Sequence, residues 1–125
     1  MAAAAGRILL IDDDPEIREF ITTFLDIEGY EVLLADNGET GLVAAEQDAP
    51  DLILLDISMP DIEGLEVCKL LRERPKTADT PIFILSARTD DLERRRAAEA
   101  GASLFVDKPF HNEDLLKWIE EALGR

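Results

Sequence analysis

Hydrophobic and polar positions along this chain alternate between two patterns, and each pattern occurs five times. Short apolar runs of strand length are separated by longer stretches in which apolar residues recur every three or four positions. Continuous apolar runs are typical of strands buried on both faces of a parallel sheet, and the longer stretches are typical of amphipathic helices. The predicted strands are Ile8–Ile11, Val32–Ala35, Leu52–Leu55, Ile82–Leu85 and Leu104–Val106.

The first predicted helix has clear signals at both of its ends. Asp14 followed by Pro15 supplies an N-cap and a first-turn proline, and Gly29 predicts where the helix ends. Its predicted buried face has the spacing of one helix stripe and comprises Ile17, Phe20, Ile21, Phe24 and Leu25.

The other helices complete a regular alternation with the strands. They are predicted near residues 39–47, 64–74 and 90–100, and the last helix buries Leu115, Leu116, Ile119 and Leu123. Right-handed crossovers place such helices on both faces of one open sheet. We therefore expect an α/β fold of three layers, a (βα)5 flavodoxin-like sandwich whose parallel strands lie in the order 2-1-3-4-5. Residues 7–125 are predicted to form one domain after a disordered tail or expression remnant at 1–6, with a surface loop at Arg72–Pro81.

Charge and cysteine content narrow the classes of partner and compartment. The 125 residues include 28 acidic and 13 basic side chains, for a formal net charge of −15. This balance argues against direct nucleic-acid or anionic-membrane binding, because both need clustered Lys and Arg. Cys68 is the only cysteine, which excludes an internal disulfide, favours a cytoplasmic setting and, among apolar neighbours, predicts a core position.

Acidic and polar residues follow four of the predicted strands. The first strand ends in Asp12-Asp13-Asp14, the third in Asp56, the fourth in Ser86 and the fifth in Asp107-Lys108-Pro109. Each group alone has an ordinary explanation as a helix cap, a loop acid, a strand-end serine or a solvated lysine. Parallel strands bring all four groups to one edge, where open α/β sheets bind ligands at the switch point.

Carboxylates from two adjacent strands would repel one another unless a cation lay between them. Mg²⁺ prefers oxygen ligands and often takes carboxylates together with a phosphate, and Mn²⁺ is an alternative. The absence of His and Cys from this acidic cluster disfavours zinc and copper. The only histidine, His111, is predicted to be exposed near the start of the last helix and not to be a ligand. A carboxylate beside such an ion can attack phosphorus, while Lys108 and Ser86 contact the phosphoryl oxygens. The absence of an evident general base favours a stored phosphoryl group over enzymatic turnover.

In their order and spacing, these motifs resemble the receiver domains of response regulators, which act in two-component phosphorelay signalling. The likeness is to chemotaxis-regulator-like receivers and runs from about Arg7 to Leu123. The motifs are Ile-Asp-Asp-Asp-Pro at 11–15, Leu-Leu-Asp-Ile-Ser-Met-Pro at 54–60 followed by Gly64, Ile-Leu-Ser-Ala at 84–87, Gly-Ala at 101–102 and Asp-Lys-Pro-Phe at 107–110.

The resemblance implies roles for most of these residues. Asp56 would be the phosphoacceptor, and Asp13, Asp56 and the backbone carbonyl of Ser58 would ligate Mg²⁺. Asp12 would act mainly through a metal-bound water, and Lys108 would contact the phosphoryl group.

The resemblance also implies a switch beside the acceptor. Ser86 would be the switch hydroxyl, Ala87 the small residue beside the phosphoryl group, and Phe105 a switch aromatic without a hydroxyl. The Lys108–Pro109 bond would be cis. Ser58 and Arg88 would stand where the family tunes the lifetime of the phosphoryl group.

The implied partners are a histidine kinase or histidine phosphotransferase and an unknown effector at the surface of the fourth helix, fifth strand and fifth helix. A homodimer formed on phosphorylation is a further expectation. The basic run Arg94-Arg95-Arg96 on that surface is either a solvated face or a partner-specific patch. The domain would not be an enzyme beyond slow self-catalysed phosphotransfer and dephosphorylation.

Alternatives remain in other functional classes. A phosphohydrolase using an aspartyl-phosphate is disfavoured by Ser58, because such enzymes usually have a second acid there. A flavodoxin-like cofactor carrier would need a Gly/Ser/Thr-rich phosphate loop after the first strand, whereas the acidic loop there would repel a phosphate unless a metal ion intervened. A degenerate receiver used only for binding is disfavoured by the complete residue set, and a receiver that belongs to a hybrid kinase or larger regulator stays open.

Overall fold

The strands and helices follow the predicted alternation in the computed structural model, which describes residues 6–88 and 90–124. Within these residues, the strands are β1 (Arg7–Ile11), β2 (Glu31–Ala35), β3 (Leu52–Asp56), β4 (Ile82–Ser86) and β5 (Leu104–Asp107). The helices are α1 (Pro15–Ile27), α2 (Gly38–Asp48), α3 (Gly64–Glu73), α4 (Asp91–Ala100) and α5 (Asn112–Ala122). The expected α/β class is confirmed.

The sheet is parallel throughout and its strand order is β2-β1-β3-β4-β5, as predicted. Ile11 at the end of β1 pairs with Leu55, and Asp56 at the end of β3 pairs with Leu85. Ser86 at the end of β4 pairs with Asp107. The register therefore brings the carboxyl ends of β1, β3, β4 and β5 to one edge.

The core consists of two hydrophobic clusters on opposite faces of the sheet. Alternate residues of β1 point to opposite faces, so Leu9 and Ile11 join one cluster while Ile8 and Leu10 join the other. The first cluster packs against α2, α3 and α4 and includes Cys68, which is fully buried as predicted. The second packs against α1 and α5, so the three layers are filled from both sides.

One local expectation is wrong, and another holds only in part. Phe20 was expected on the buried face of α1 but is 52% exposed, because it stands at the margin of the face that Ile21 and Leu25 bury. Residues 74–81 form turns after α3 ends at Glu73, as a loop requires, but Thr77 in this segment is buried. The Thr77 hydroxyl donates a hydrogen bond to the carbonyl oxygen of Leu71 at 2.5 Å.

The predicted tail falls mostly outside the described residues, because only Gly6 of residues 1–6 is described. The Gly6 carbonyl accepts a hydrogen bond from the Glu31 backbone at 2.9 Å, which joins it to β2. The exposed His111 precedes α5, as expected. Among the described helices, none has the length and apolar character needed to cross a membrane.

Arg72 connects the segment after α3 to the turn between α4 and β5 through hydrogen bonds. Its guanidinium donates to the carbonyl oxygens of Thr80 at 2.6 Å and of Gly101 at 2.9 Å, and also to that of Thr77 at 3.0 Å. Gly101 has a φ of 102°, and a β-carbon there would meet the Arg72 side chain at 2.6 Å. A glycine at this position therefore satisfies both the left-handed backbone and the close packing.

Replacing Arg72 with Met should lower the free energy of unfolding by about 2–3 kcal/mol, because several partly buried carbonyl groups lose a charged donor. The methionine retains most of the aliphatic stem, so the change reports mainly on the guanidinium. Urea unfolding of the Arg72→Met variant would measure the effect, with Arg95→Met on the exposed side of α4 as the control. Equal stability of the two variants would contradict this connecting role.

Candidate functional site

Three carboxylates meet at the edge where β1 and β3 end. One oxygen from each of Asp12, Asp13 and Asp56 can be chosen such that all three lie within 4.8 Å of one another. Asp12 and Asp56 are buried, whereas Asp13 is exposed. The parallel register of β1 and β3 produces this cluster, because Asp12 directly follows β1 and Asp56 is the last residue of β3.

Local hydrogen bonds hold the segment between β1 and α1 in place. The backbone N–H of Asp12 donates to the carbonyl of Ala35 at 3.0 Å, which extends the β1–β2 pairing. The Asp12 carboxylate accepts the backbone N–H of Asp14 through Oδ1 at 2.9 Å. Asp14 in turn caps α1 by accepting the N–H of Glu16, as the sequence predicted.

Lys108 provides a positive charge inside the acidic cluster. Its Nζ donates to Asp56 Oδ1 at 2.9 Å and lies 3.6 Å from Asp12 Oδ2. Its backbone N–H donates to the carbonyl of Ser86 at 2.7 Å, and the Lys108–Pro109 bond is cis, as the family resemblance implied. The ammonium is therefore held over the carboxyl ends of β1 and β3.

Ser86 is buried and its hydroxyl oxygen accepts the backbone N–H of Arg88 at 3.0 Å. A hydroxyl that accepts one hydrogen bond still has its own proton to donate. Ser86 thus presents a donor group to the space beside Asp56 and Lys108.

Burial raises the pKa of Asp56, and the opposing hydrogen bond and charge of Lys108 do not fully offset this effect. Burial likewise raises the pKa of Asp12, although the hydrogen bond from Asp14 acts against it. Burial by itself would lower the pKa of Lys108, but its hydrogen bond to Asp56 and the charges of Asp56 and Asp12 raise the pKa above its ordinary value. The site therefore holds a charged lysine between carboxylates that are unfavourable to ionise.

The described residues fit a hard divalent cation. Asp12 Oδ2 is buried and accepts no hydrogen bond in the described part of the chain, so one carboxylate oxygen is available for a further positive partner. One lysine cannot neutralise three carboxylates, and all the clustered donors are oxygen atoms of the kind that Mg²⁺ prefers.

A cavity of about 330 Å³ is lined by seven of the eight residues predicted for the site. They are Asp12, Asp13, Asp56, Ser58, Ser86, Ala87 and Lys108. Phe105 is the exception: it lies half-buried on β5, packs against the first hydrophobic cluster and has the Arg94 guanidinium 4.9 Å from its ring centre.

Sequence reasoning missed Glu93, which is buried in the first turn of α4 and lines a second cavity beside the site. A weak signal was present, because Asp90 and Glu93 have the spacing of a helix cap and its third residue. Asp90 does cap α4 by accepting the N–H of Glu93 at 2.9 Å. That motif explains the start of the helix and says nothing about burial of the Glu93 carboxylate.

Asp12→Asn should stabilise the metal-free domain at pH 7 by about 1 kcal/mol, because it removes a charge that burial disfavours. The pKa of Asp12 is raised on folding, so its contribution to stability is present below the unfolded-state pKa of about 3.9 and is lost as the pH rises through the folded-state pKa. The gain from Asn should therefore vanish toward about pH 3.

Thermal unfolding with a chelator at both pH values would test this expectation. The exposed Asp79→Asn variant controls for the change in net charge. The expectation is wrong if the two variants gain equal stability at pH 7.

The sequence model of the response regulator receiver domain matches residues 8–120. The chain is 42% identical over 119 residues to the response regulator MprA of Mycobacterium leprae. It is 38% identical over 119 residues to RpaA of Synechocystis sp., which is described as a DNA-binding dual master transcriptional regulator. Both alignments cover 95% of this chain but only 51% and 49% of those proteins, so the chain spans about half the length of these curated relatives.

The name of RpaA limits the expectation about nucleic acid. That expectation rests on the charge of these 125 residues, whereas a relative of about twice this length is named as DNA-binding. This relative therefore does not support the expectation that nucleic acid is excluded as a partner.

Solved structures of receiver proteins have the same fold as this chain. The chemotaxis protein CheY4 of Vibrio cholerae is 33% identical, with a TM-score of 0.90 over 98% of this chain and 100% of that one. The receiver domain of a Pseudomonas aeruginosa sensor histidine kinase is 28% identical, with a TM-score of 0.90 over 98% and 100%, and it contains a magnesium ion in its active-site cleft. A matched family model over nearly the whole chain, the shared strand order and these neighbours together show that the chain belongs to the response regulator receiver domain family.

Proposed function

We propose that this domain accepts a phosphoryl group on Asp56 from a histidine kinase or histidine phosphotransferase. The observation that carries the proposal is the position of the Asp56 carboxylate. Asp56 is the last residue of β3, and its carboxylate accepts a hydrogen bond from Lys108 Nζ at 2.9 Å. The carboxylate also lies beside those of Asp12 and Asp13. An acceptor carboxylate, a cation and further acidic groups are the parts that phosphoryl transfer to a carboxylate requires.

The proposed metal ligands are Asp13, Asp56 and the backbone carbonyl of Ser58, with Asp12 acting through a water molecule. Bound Mg²⁺ would neutralise part of the negative charge on the carboxylates and on the phosphoryl oxygens. The magnesium ion in the neighbouring histidine kinase receiver supports this choice. Mn²⁺ is proposed only as a substitute with similar oxygen ligands.

In the transfer itself, an Asp56 carboxylate oxygen forms the new bond to phosphorus while the bond from phosphorus to the donor histidine breaks. Lys108 neutralises charge on the phosphoryl oxygens, and the Ser86 hydroxyl donates a hydrogen bond to one of them. Ala87 leaves space beside the group. The reaction therefore depends on positioning and charge more than on proton transfer.

Storage of the phosphoryl group is favoured over rapid hydrolysis. Ser58 stands two residues after Asp56, where a phosphohydrolase of this type would need an acid. We therefore propose a signalling protein with at most slow self-catalysed phosphotransfer and dephosphorylation.

The proposed output is a change at the surface formed by α4, β5 and α5. Ser86 and Lys108 move toward the phosphoryl group and the Phe105 ring turns inward, which alters the contacts available to an effector. The phosphoryl group shifts this equilibrium only as far as it binds the two states differently. A cytoplasmic location and a homodimer formed on phosphorylation belong to the same proposal.

Incubation with phosphoramidate and Mg²⁺ should add one phosphoryl group to the parent and none to Asp56→Asn, because the acceptor oxygen is lost. Lys108→Met should lower the labelling rate by about 10- to 1,000-fold, since one preorganised positive donor is removed. Intact-protein mass spectrometry would follow both reactions, with Asp79→Asn as the control. Equal labelling of the parent and Asp56→Asn would exclude the assignment.

Addition of Mg²⁺ should stabilise the domain, because a ligand that binds only the folded state raises the free energy of unfolding. At ten times the dissociation constant, the increase is about 1.4 kcal/mol. Asp13→Asn should lose most of it, whereas Asp79→Asn should keep it in thermal melts with and without the metal. An undiminished response in Asp13→Asn would remove Asp13 from the ligand set.

A further inference from the structure

Arg88 lies at the boundary between two cavities. One is the site cavity of about 330 Å³, and the other is a neighbouring cavity of about 510 Å³. The two share Asp13, Ile57, Ser58 and Arg88 in their walls. The Arg88 side chain is 63% exposed, so its guanidinium has room to move.

Glu93 faces Arg88 from the neighbouring cavity. Its side chain is only 2% exposed, and its Oε2 lies 3.7 Å from Arg88 Nη1. In the described part of the chain this oxygen accepts no hydrogen bond. A buried carboxylate without a nearby cation is strongly unfavourable, so Glu93 attracts the Arg88 guanidinium.

Both contacts that hold the Arg88 guanidinium are longer than hydrogen bonds. Arg88 Nη2 lies 3.6 Å from Asp90 Oδ2, in addition to the 3.7 Å contact with Glu93. The backbone N–H of Arg88 donates to the Ser86 hydroxyl at 3.0 Å, which places Arg88 beside the site. The long side chain of Arg88 can therefore exchange partners from this position.

We propose that Glu93 is a positioning residue that draws Arg88 away from Asp56, so that Glu93 and the phosphoryl group compete for one guanidinium. This inference rests on the proposed function of Asp56. A phosphoryl group carries nearly two negative charges and presents oxygen atoms that match the fork of an arginine. Transfer of Arg88 to that group leaves the Glu93 carboxylate buried without its cation, and this opposes the phosphorylated state.

Glu63 offers a matched control for the charge of Glu93. It lines the same neighbouring cavity, but its side chain is 54% exposed and its carboxylate lies 3.7 Å from Arg96. Glu63→Gln and Glu93→Gln therefore remove the same charge near the site, and only the second removes a partner of Arg88.

The test uses beryllofluoride with Mg²⁺ as the phosphoryl analogue and measures its dissociation constant by isothermal titration calorimetry. Glu93→Gln should bind the analogue about two- to five-fold more tightly, the range expected for one partly exposed ion pair. The gain should disappear in an Arg88→Met background. Glu63→Gln should have the same small effect in both backgrounds.

Arg88→Met alone changes an exposed side chain and should bind the analogue about two- to five-fold more weakly. It keeps the test decisive if Glu93→Gln does not fold. Unchanged affinity in Arg88→Met, or an equal gain from Glu93→Gln in both backgrounds, would overturn the competition. A parent domain that does not bind beryllofluoride would overturn the proposed function of Asp56 as well, whereas a parent that binds without this coupling would overturn only the role of Glu93.

Discussion

Crowding of three carboxylates, with one ammonium beside two of them, is the constraint on which the rest of the site depends. Because the sheet is parallel, the ends of β1 and β3 cannot avoid placing Asp12 and Asp56 together, and Lys108 alone cannot balance them. Burial is the main cause of the raised pKa values of Asp12 and Asp56, and the neighbouring carboxylates raise them further. A bound cation would favour the ionised form of these carboxyl groups. The same cation would also attract the oxygen atoms of a phosphoryl group.

The sheet and most of the site could be predicted from the sequence because both depend on patterns of neighbouring residues. Continuous apolar runs identified the strands, and strand ends brought distant residues such as Asp56 and Lys108 together without any knowledge of side-chain packing. The error at Phe20 arose because helical spacing shows which side of a helix faces the core. It does not show how much of that side the neighbouring elements cover. Burial of Thr77 depends on a hydrogen bond to Leu71, and such a bond has no periodic signal.

The arrangement around α4 shows what local patterns cannot reveal. Arg94 binds both carboxylate oxygens of Asp107 at 2.6 Å, and Arg96 lies 3.7 Å from Glu63. The basic run is thus tied at two positions to β5 and to the end of the β3–α3 connection. Both arginines are still partly exposed, and their partners come from segments about 13 and 33 positions away in the sequence, so a local pattern cannot reveal these contacts.

Division of the core into two clusters has a consequence for how this domain tolerates change. The clusters share no residue and lie on opposite faces of the sheet. The side chains of Leu25 and Leu71 therefore pack against different sets of neighbours. Free-energy changes from substitutions in the two clusters should therefore add, whereas substitutions within one cluster should couple. Sequence drift on the α1–α5 side can proceed without compensating replacements beneath α2, α3 and α4, and either face can be redesigned while the other is left intact.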